Sequence, residues 1–345
     1  MGLMQTPMQQ GQDDQWIALS ESAGPVCAGA MAEVVKRGSL VIELTRPKDG
    51  GSVLLDHRTN DGWPRGFSIF HDADAGVVIL HRQGQAVQRH ILPGPLPRDW
   101  RLARLTYSWD GPARSWALRL IETGGAWSRA AHGSNPVPLS GVDILALCAG
   151  LDDCRRDASV QWFGVCLQSP QTAPLAWIGH RTPIDTARGR IAAGDLRLGD
   201  SLKTLDHGMQ LLRGLHRTVL PNRGRFAPVL LRAPYFARQA DVLVAQGQLV
   251  LLSGTAVDYL FGEDAVLAPA AALRDGNSAL TDSRRQLTQA IGLDLGAPEV
   301  IFADGCPLLT LPEGTTAPMP YRVLLGYEAQ TLQCQLGRGS THYVA

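Results

Sequence analysis

The sequence predicts an all-β protein of two domains, and three observations carry that expectation. Glycine (37 residues) and proline (22 residues) are scattered among short apolar runs over the 345-residue chain, which favours turn-rich β architecture over helix bundles. Segments of strand character recur with turn chemistry between them, and in residues 184–208 no helix of ordinary length fits between the breaks. All eight tryptophans lie between Trp16 and Trp177 and none follows, so a shift in composition places a domain boundary close to Trp177.

The bulk numbers narrow the function classes. A hydrophobic share of 45% is ordinary for a folded chain, and the length allows two separate cores. The 32 basic and 32 acidic residues cancel, which argues against a nucleic-acid partner, because such a partner requires a basic field. No apolar run approaches the roughly 18 residues of a membrane span. The segment MGLMQTPMQQGQDDQ lacks the basic start and apolar core of a secretory signal, so the expectation is a flexible tail. The protein would then be cytoplasmic or exported by a route independent of a signal peptide. Six cysteines show no CxxC pair and no zinc spacing, and they are expected to be buried thiols.

Along the first half, strands are expected at residues 39–44 (SLVIEL), 52–56, 67–71, 77–82, 101–109, 115–121, 143–148 and 159–167. The run RLARLTYSW alternates apolar and polar side chains, as a strand with one wet face does. Eight strands at this spacing read as a β-sandwich. Its core is expected to contain Val41, Leu54, Phe67, Ile69, Val78, Leu105, Tyr107, Trp116, Leu118 and Trp162. The strand order, with GSLVIEL, LLDHRTNDG, GFSIFHD and LTYSWDG followed by SWALRL, resembles the concanavalin-like, laminin-G-like jelly roll. That resemblance implies sugar or protein binding, or glycan cleavage. The ExDxE carboxylates of the glycosidases that use the fold are missing, and without two carboxyls at the right separation glycoside hydrolysis has no chemistry.

Candidate binding residues in this half are Asp56, His57, Asp61 and Trp63, read as one loop where an aromatic plate beside polar groups would suit a sugar ring. The competing reading has Trp63 covering a sheet edge. Asp72 and Asp74 are candidates for a cation, against the reading of a solvated hairpin loop. The reading as a whole carries no metal and no cofactor.

The second half begins with LAWIGHRT and continues through IDTARGRIAAGDLRLGDSLKTLDHG, DVLVAQGQLVLL, YLFGED, AVLAPAAAL and YRVLLGYEAQTL. Taken in this order, these segments resemble a bacterial Hint domain, the hedgehog and intein self-processing fold. The resemblance implies a Cys, Phe, two residues, Gly, Thr opening, in which the Cys thiolate attacks its own preceding carbonyl. Aligning Thr182 with the motif threonine puts Trp177 at the nucleophile. The second signature segment puts Gln248 at the activating histidine and Ala245 at a small hydroxyl residue. An indole cannot attack a carbonyl, and an amide cannot shuttle a proton near neutral pH.

The expected organisation is a tail over residues 1–23, a concanavalin/laminin-G-like sandwich over 24–168, a linker over 169–175, a Hint-like domain over 176–336 and a tail over 337–345. The expected function is a non-catalytic binding or structural protein with a glycan or protein ligand and a Hint domain that has lost self-cleavage. The alternatives are an autoprocessing protein with an unrecognised nucleophile and a carbohydrate-active hydrolase.

Overall fold

The computed structural model describes residues 16–22, 24–26, 31–48, 50–60, 62–151, 154–167, 176–312, 314 and 317–336. The chain divides into two compact units, residues 1–170 and 171–345, and both are built from β-sheet. The expected linker over 169–175 and the tail over 337–345 lie outside the described residues.

The first unit contains β1 (Trp16–Leu19), β2 (Val34–Val35), β3 (Arg37–Thr45), β4 (Ser52–Asn60), β5 (Pro64–Asp72), β6 (Gly76–Gln83), β7 (Ala86–Pro93), β8 (Leu102–Asp110), β9 (Ser115–Glu122), β10 (Ser128–Ser134), β11 (Leu139–Ser140), β12 (Cys154–Arg156) and β13 (Val160–Cys166). A six-stranded sheet in the order β1-β13-β3-β8-β9-β10 and a five-stranded sheet in the order β12-β4-β5-β6-β7 enclose the core. Period-two alternation explains the packing. In β8, Ala103, Leu105, Tyr107 and Trp109 are buried while the residues between them are half-exposed. Of the expected core residues, Val41, Leu54, Phe67, Ile69, Leu105, Tyr107, Leu118 and Trp162 are buried. Val78 is only half-buried because β6 turns Val77 and Ile79 inward, one residue out of the expected phase. Trp116 has the inward phase but is also half-buried, with its ring 4.8 Å from that of His90.

Two expectations are corrected. The sandwich does not begin at residue 24: the apolar run WIAL forms β1, all four residues are buried, and the strand pairs antiparallel with β13. Its Gln-rich upstream flank disguises it as part of a tail. Residues 143–148 are not a strand but belong to helix α1 (Gly141–Ala149). A short apolar run between breakers reads equally as strand or buried helix, and here the ends decide. Asp143 lies in the first turn, and Gly150 closes the helix in the left-handed conformation (φ 67°), donating its N–H to the carbonyls of Ala146 and Leu147.

The second unit has a six-stranded and a nine-stranded sheet over a core that includes Ile178, Ile184, Leu202, Val244, Ile291 and Leu308. The turn-rich stretch forms Pro183–Thr186, Gly189–Ala192, Ser201–Lys203 and Met209–Leu211, with only a three-residue 3₁₀ turn among them. Gly189 (φ 96°) follows the Ala187–Arg188 turn with a backbone that a Cβ would strain. Two helices, α2 (Thr255–Phe261) and α3 (Gly326–Leu336), complete the unit.

Candidate functional site

The opening of the second unit is held between two strands. Ile178 pairs with Val244 on one side and Ile291 on the other, which fixes the preceding residue at the sheet centre. The Trp177 carbonyl accepts the Ala245 N–H at 2.9 Å. Gln248 closes a tight turn by donating its N–H to the Ala245 carbonyl at 3.1 Å, so the chain direction itself brings Trp177, Ala245 and Gln248 together. All three are buried, with 2–3% of their surface exposed.

Electrostatically the pocket is quiet. The Gln248 side-chain amide donates to the carbonyls of Leu309 (2.7 Å) and Leu249 (3.2 Å). The space left among Trp177, Gln248, Ile291, Leu308 and Thr310 is about 10 Å³, room for one water molecule. The Thr310 hydroxyl donates to the Glu299 carbonyl at 3.0 Å. Thr182 stands apart in a turn of its own, with its N–H on the Gly179 carbonyl and its carbonyl accepting from Ala193. His207 and His180 are not among the residues that line this pocket. His207 lies on an exposed turn 3.1 Å from Glu299, whose carboxylate raises its pKa. Burial lowers that of His180, and the cationic Arg181 and Arg285 push in the same direction.

The family model for the Hint domain matches residues 177–315. The match begins at the buried tryptophan, and Trp177 and Gln248, which line the same small pocket, both lie within it. No curated protein matches the chain. Among solved structures, the Ruminococcus gnavus IT-sialidase CBM40 bound to alpha2,6 sialyllactose is 13% identical over 40% of this chain and 80% of its own, with a TM-score of 0.26. Scytalido-glutamic peptidase with a peptide-based transition state analog is 6% identical over 68% of this chain and 98% of its own, with a TM-score of 0.18. Scores this low carry no argument about fold or function.

In the sandwich the candidate residues do not form a shared loop. Asp56 and His57 are successive residues of β4, so the pleat sends them to opposite faces. The Asp56 carboxylate accepts the Ser68 hydroxyl and the Arg58 guanidinium. His57 is 5% exposed and turns inward, with Nδ1 3.1 Å from Cys154 Sγ. Asp61 lies outside the described residues. Trp63 is 57% exposed and lies against Gly84, where an added Cβ would come within 2.6 Å of the ring. The expected aromatic plate beside polar groups is therefore dispersed by strand alternation. The Asp72 carboxylate accepts the N–H groups of Ala75 and Asp74, both at 2.8 Å, and these bonds lower its pKa. Asp74 pairs with Arg98 at 2.8 Å. The Asp72 carboxylate thus serves its own loop, and that of Asp74 ties the loop to Arg98.

Sequence reasoning misses Cys154 and Asp143 as partners of His57. Cys154 and His57 are 97 positions apart, and no motif spacing links them.

Proposed function

We propose that the protein is a non-catalytic binding or structural protein, in which a Hint domain that has lost self-cleavage follows a concanavalin- or laminin-G-like sandwich that recognises a glycan or a protein surface. The observation that carries the reading is the filled pocket. The alignment of Thr182 with the family threonine puts the Trp177 indole at the thiolate's position and Gln248 at the proton donor's, and the Gln248 amide in this pocket is bonded to two carbonyls. Burying an aromatic of this size contributes about 3 kcal/mol, a gain that a small nucleophile beside a substrate peptide would forgo.

Incubation of the purified chain with thiol and hydroxylamine, followed by a denaturing gel, tests the reading. A single band at 37.1 kDa is expected. A pair of shorter bands, joined at a cut before residue 177, would overturn it. Trp177→Cys with Gln248→His should then introduce slow thiol-dependent cleavage at that position. A doubly substituted chain that folds and stays intact would show that more than these two groups was lost.

A further inference from the structure

Strand register assembles a second reactive cluster in the sandwich. β12 is the edge of its sheet and pairs antiparallel with β4, placing Cys154 directly opposite His57. Facing residues of such a pair project to the same side with Cβ atoms about 5 Å apart, which explains the 3.1 Å approach of His57 Nδ1 to Cys154 Sγ. Across the ring, Nε2 faces Asp143 Oδ1 of α1 at 3.7 Å and makes no hydrogen bond, although His57 is only 5% exposed. Arg65 Nε holds the same carboxylate at 2.9 Å. Burial opposes ionisation of Asp143, but His57 and Arg65 outweigh it and keep the carboxyl below its ordinary range. His57 and Asp143 also line a cavity of about 10 Å³. Cys154 is a half-buried residue of the sheet-edge strand, and its Sγ also lies 3.4 Å from the Ala146 carbonyl of α1, to which the thiol can donate.

We propose that Cys154 is a nucleophilic thiol activated by His57, with Asp143 as a positioning residue, and that it takes low-molecular-weight disulfides. The inference goes beyond the reading of the Hint pocket and does not depend on it. The Sγ proton passes to His57 Nδ1, leaving a thiolate beside an imidazolium whose Nε2–H is oriented by Asp143. The thiolate attacks one sulfur of R–S–S–R. A Cys154–S–S–R bond forms, the substrate S–S bond breaks, and the departing R–S⁻ takes the proton from Nδ1. No other reactant is required.

Disulfide exchange fits better than acyl transfer. The Cys154 N–H is already donated to the Leu151 carbonyl at 2.7 Å and is not offered to an oxyanion, whereas exchange places the charge on the leaving sulfur. Nearby Cys148 is no competitor. Burial, with the charge of Cys154 adding to it, pushes its pKa up to about 12, so it stays protonated and the mixed disulfide on Cys154 persists.

The test uses the full chain and iodoacetamide over pH 6 to 9, with alkylation quantified by mass spectrometry at Cys154 and at the exposed Cys334 of α3, an internal reference. A solvent-exposed thiol without an activating base slows about tenfold per pH unit on the acid side of its pKa. Cys154 should keep most of its rate down to about pH 6 because its thiolate persists there. His57→Gln should make the Cys154 profile follow that of Cys334, and Asp143→Asn should move it part of the way. Oxidised glutathione should then form a mixed disulfide on Cys154 that Cys154→Ser abolishes. An unlabelled Cys154, a profile parallel to Cys334 in the unsubstituted chain, or no glutathione adduct would each overturn the proposal, whatever the variants do.

Discussion

The two units differ in how they keep certain deeply buried polar side chains. In the Hint unit Asp304 and Gln248, two of the deepest polar side chains, are answered by directional bonds. Asp304, with no exposed surface, accepts the N–H groups of Gln239 (2.6 Å) and Ala240 (2.7 Å) and the Arg190 guanidinium (2.6 Å), and Gln248 is bound to two carbonyls. In the sandwich, His90 and Tyr107 are 1% exposed, and neither imidazole nitrogen nor the phenol oxygen has a hydrogen-bond partner. Their rings are stacked at 5.2 Å, and His81 meets Phe67 edge-on at 5.6 Å. These histidines pack as neutral aromatics. Asp304 and Gln248 are thus held by directed bonds, whereas the sandwich keeps His81 and His90 packed in its core, which it tolerates only while they stay uncharged.

Acid should therefore separate the units, and this is the largest expected effect. Burial lowers the pKa of His81 to about 4, with neighbouring His90 adding to the shift and Asp143 opposing it, and burial alone lowers His90 to about 4. Both folded-state values lie below the ordinary 6.5, so the unfolded chain binds more protons between those limits. The contribution of these histidines to sandwich stability should be flat above pH 7, fall as pH drops from about 6.5 to about 4, and be exhausted below, where the lowered carboxyls of Asp72 and Asp143 take over the loss. At about 1.4 kcal/mol per pH unit, each histidine contributes at most about 3 kcal/mol to that loss. Seven of the eight tryptophans precede residue 168, so tryptophan fluorescence in a denaturant titration reports this unit. His81→Phe with His90→Phe should remove most of the loss between about pH 6.5 and 4, leaving the smaller share of His71, whose pKa burial also lowers, and a profile unchanged by both substitutions would break the comparison.

The next effect belongs to the other unit. Asp304→Ala strands two backbone N–H groups and a guanidinium without their acceptor, and breaking a buried, hydrogen-bonded charge costs about 3–5 kcal/mol. Chemical denaturation should show that loss in the Hint unit across pH 6 to 8. A loss below about 1 kcal/mol would mean that water replaces the carboxylate and that the Hint unit is less rigidly bonded than its geometry indicates.

How much of this was legible in the sequence differs between elements for physical reasons. The alternation in RLARLTYSW fixes which face of β8 is buried, because one residue of slip would turn every side chain over. The turns at Gly189 and Gly199 announce themselves through residues that accept positive φ. Trp177 and Gln248 can be brought together by segment order, since each adjoins a recognisable run. α1 is hidden because its apolar run is shorter than two full helical periods and carries no strand alternation either. The pair of Cys154 and His57 is hidden more deeply. It depends on which residue of an edge strand faces which residue of β4, a register chosen by tertiary packing and written in no local pattern.

The smallest expected effect concerns the two tryptophans that differ most in setting. Trp177 is 3% exposed and its ring helps to fill the Hint pocket, whereas Trp63 is 57% exposed and its inner face rests on Gly84. Trp63→Ala removes little area from contact with the fold and should lower sandwich stability by less than about 1 kcal/mol. A large exposed aromatic is costly to keep in water unless something covers it, and a rigid ring with a free face is well suited to stacking on a sugar or packing on a protein. If the sandwich recognises its ligand there, Trp63→Ala should abolish binding on a glycan array or to a protein target while leaving the melting temperature within about 2 °C. A loss of stability as large as that expected for Asp304→Ala would instead assign Trp63 to the packing of the sheet edge, and the recognition face would have to lie elsewhere on the sandwich.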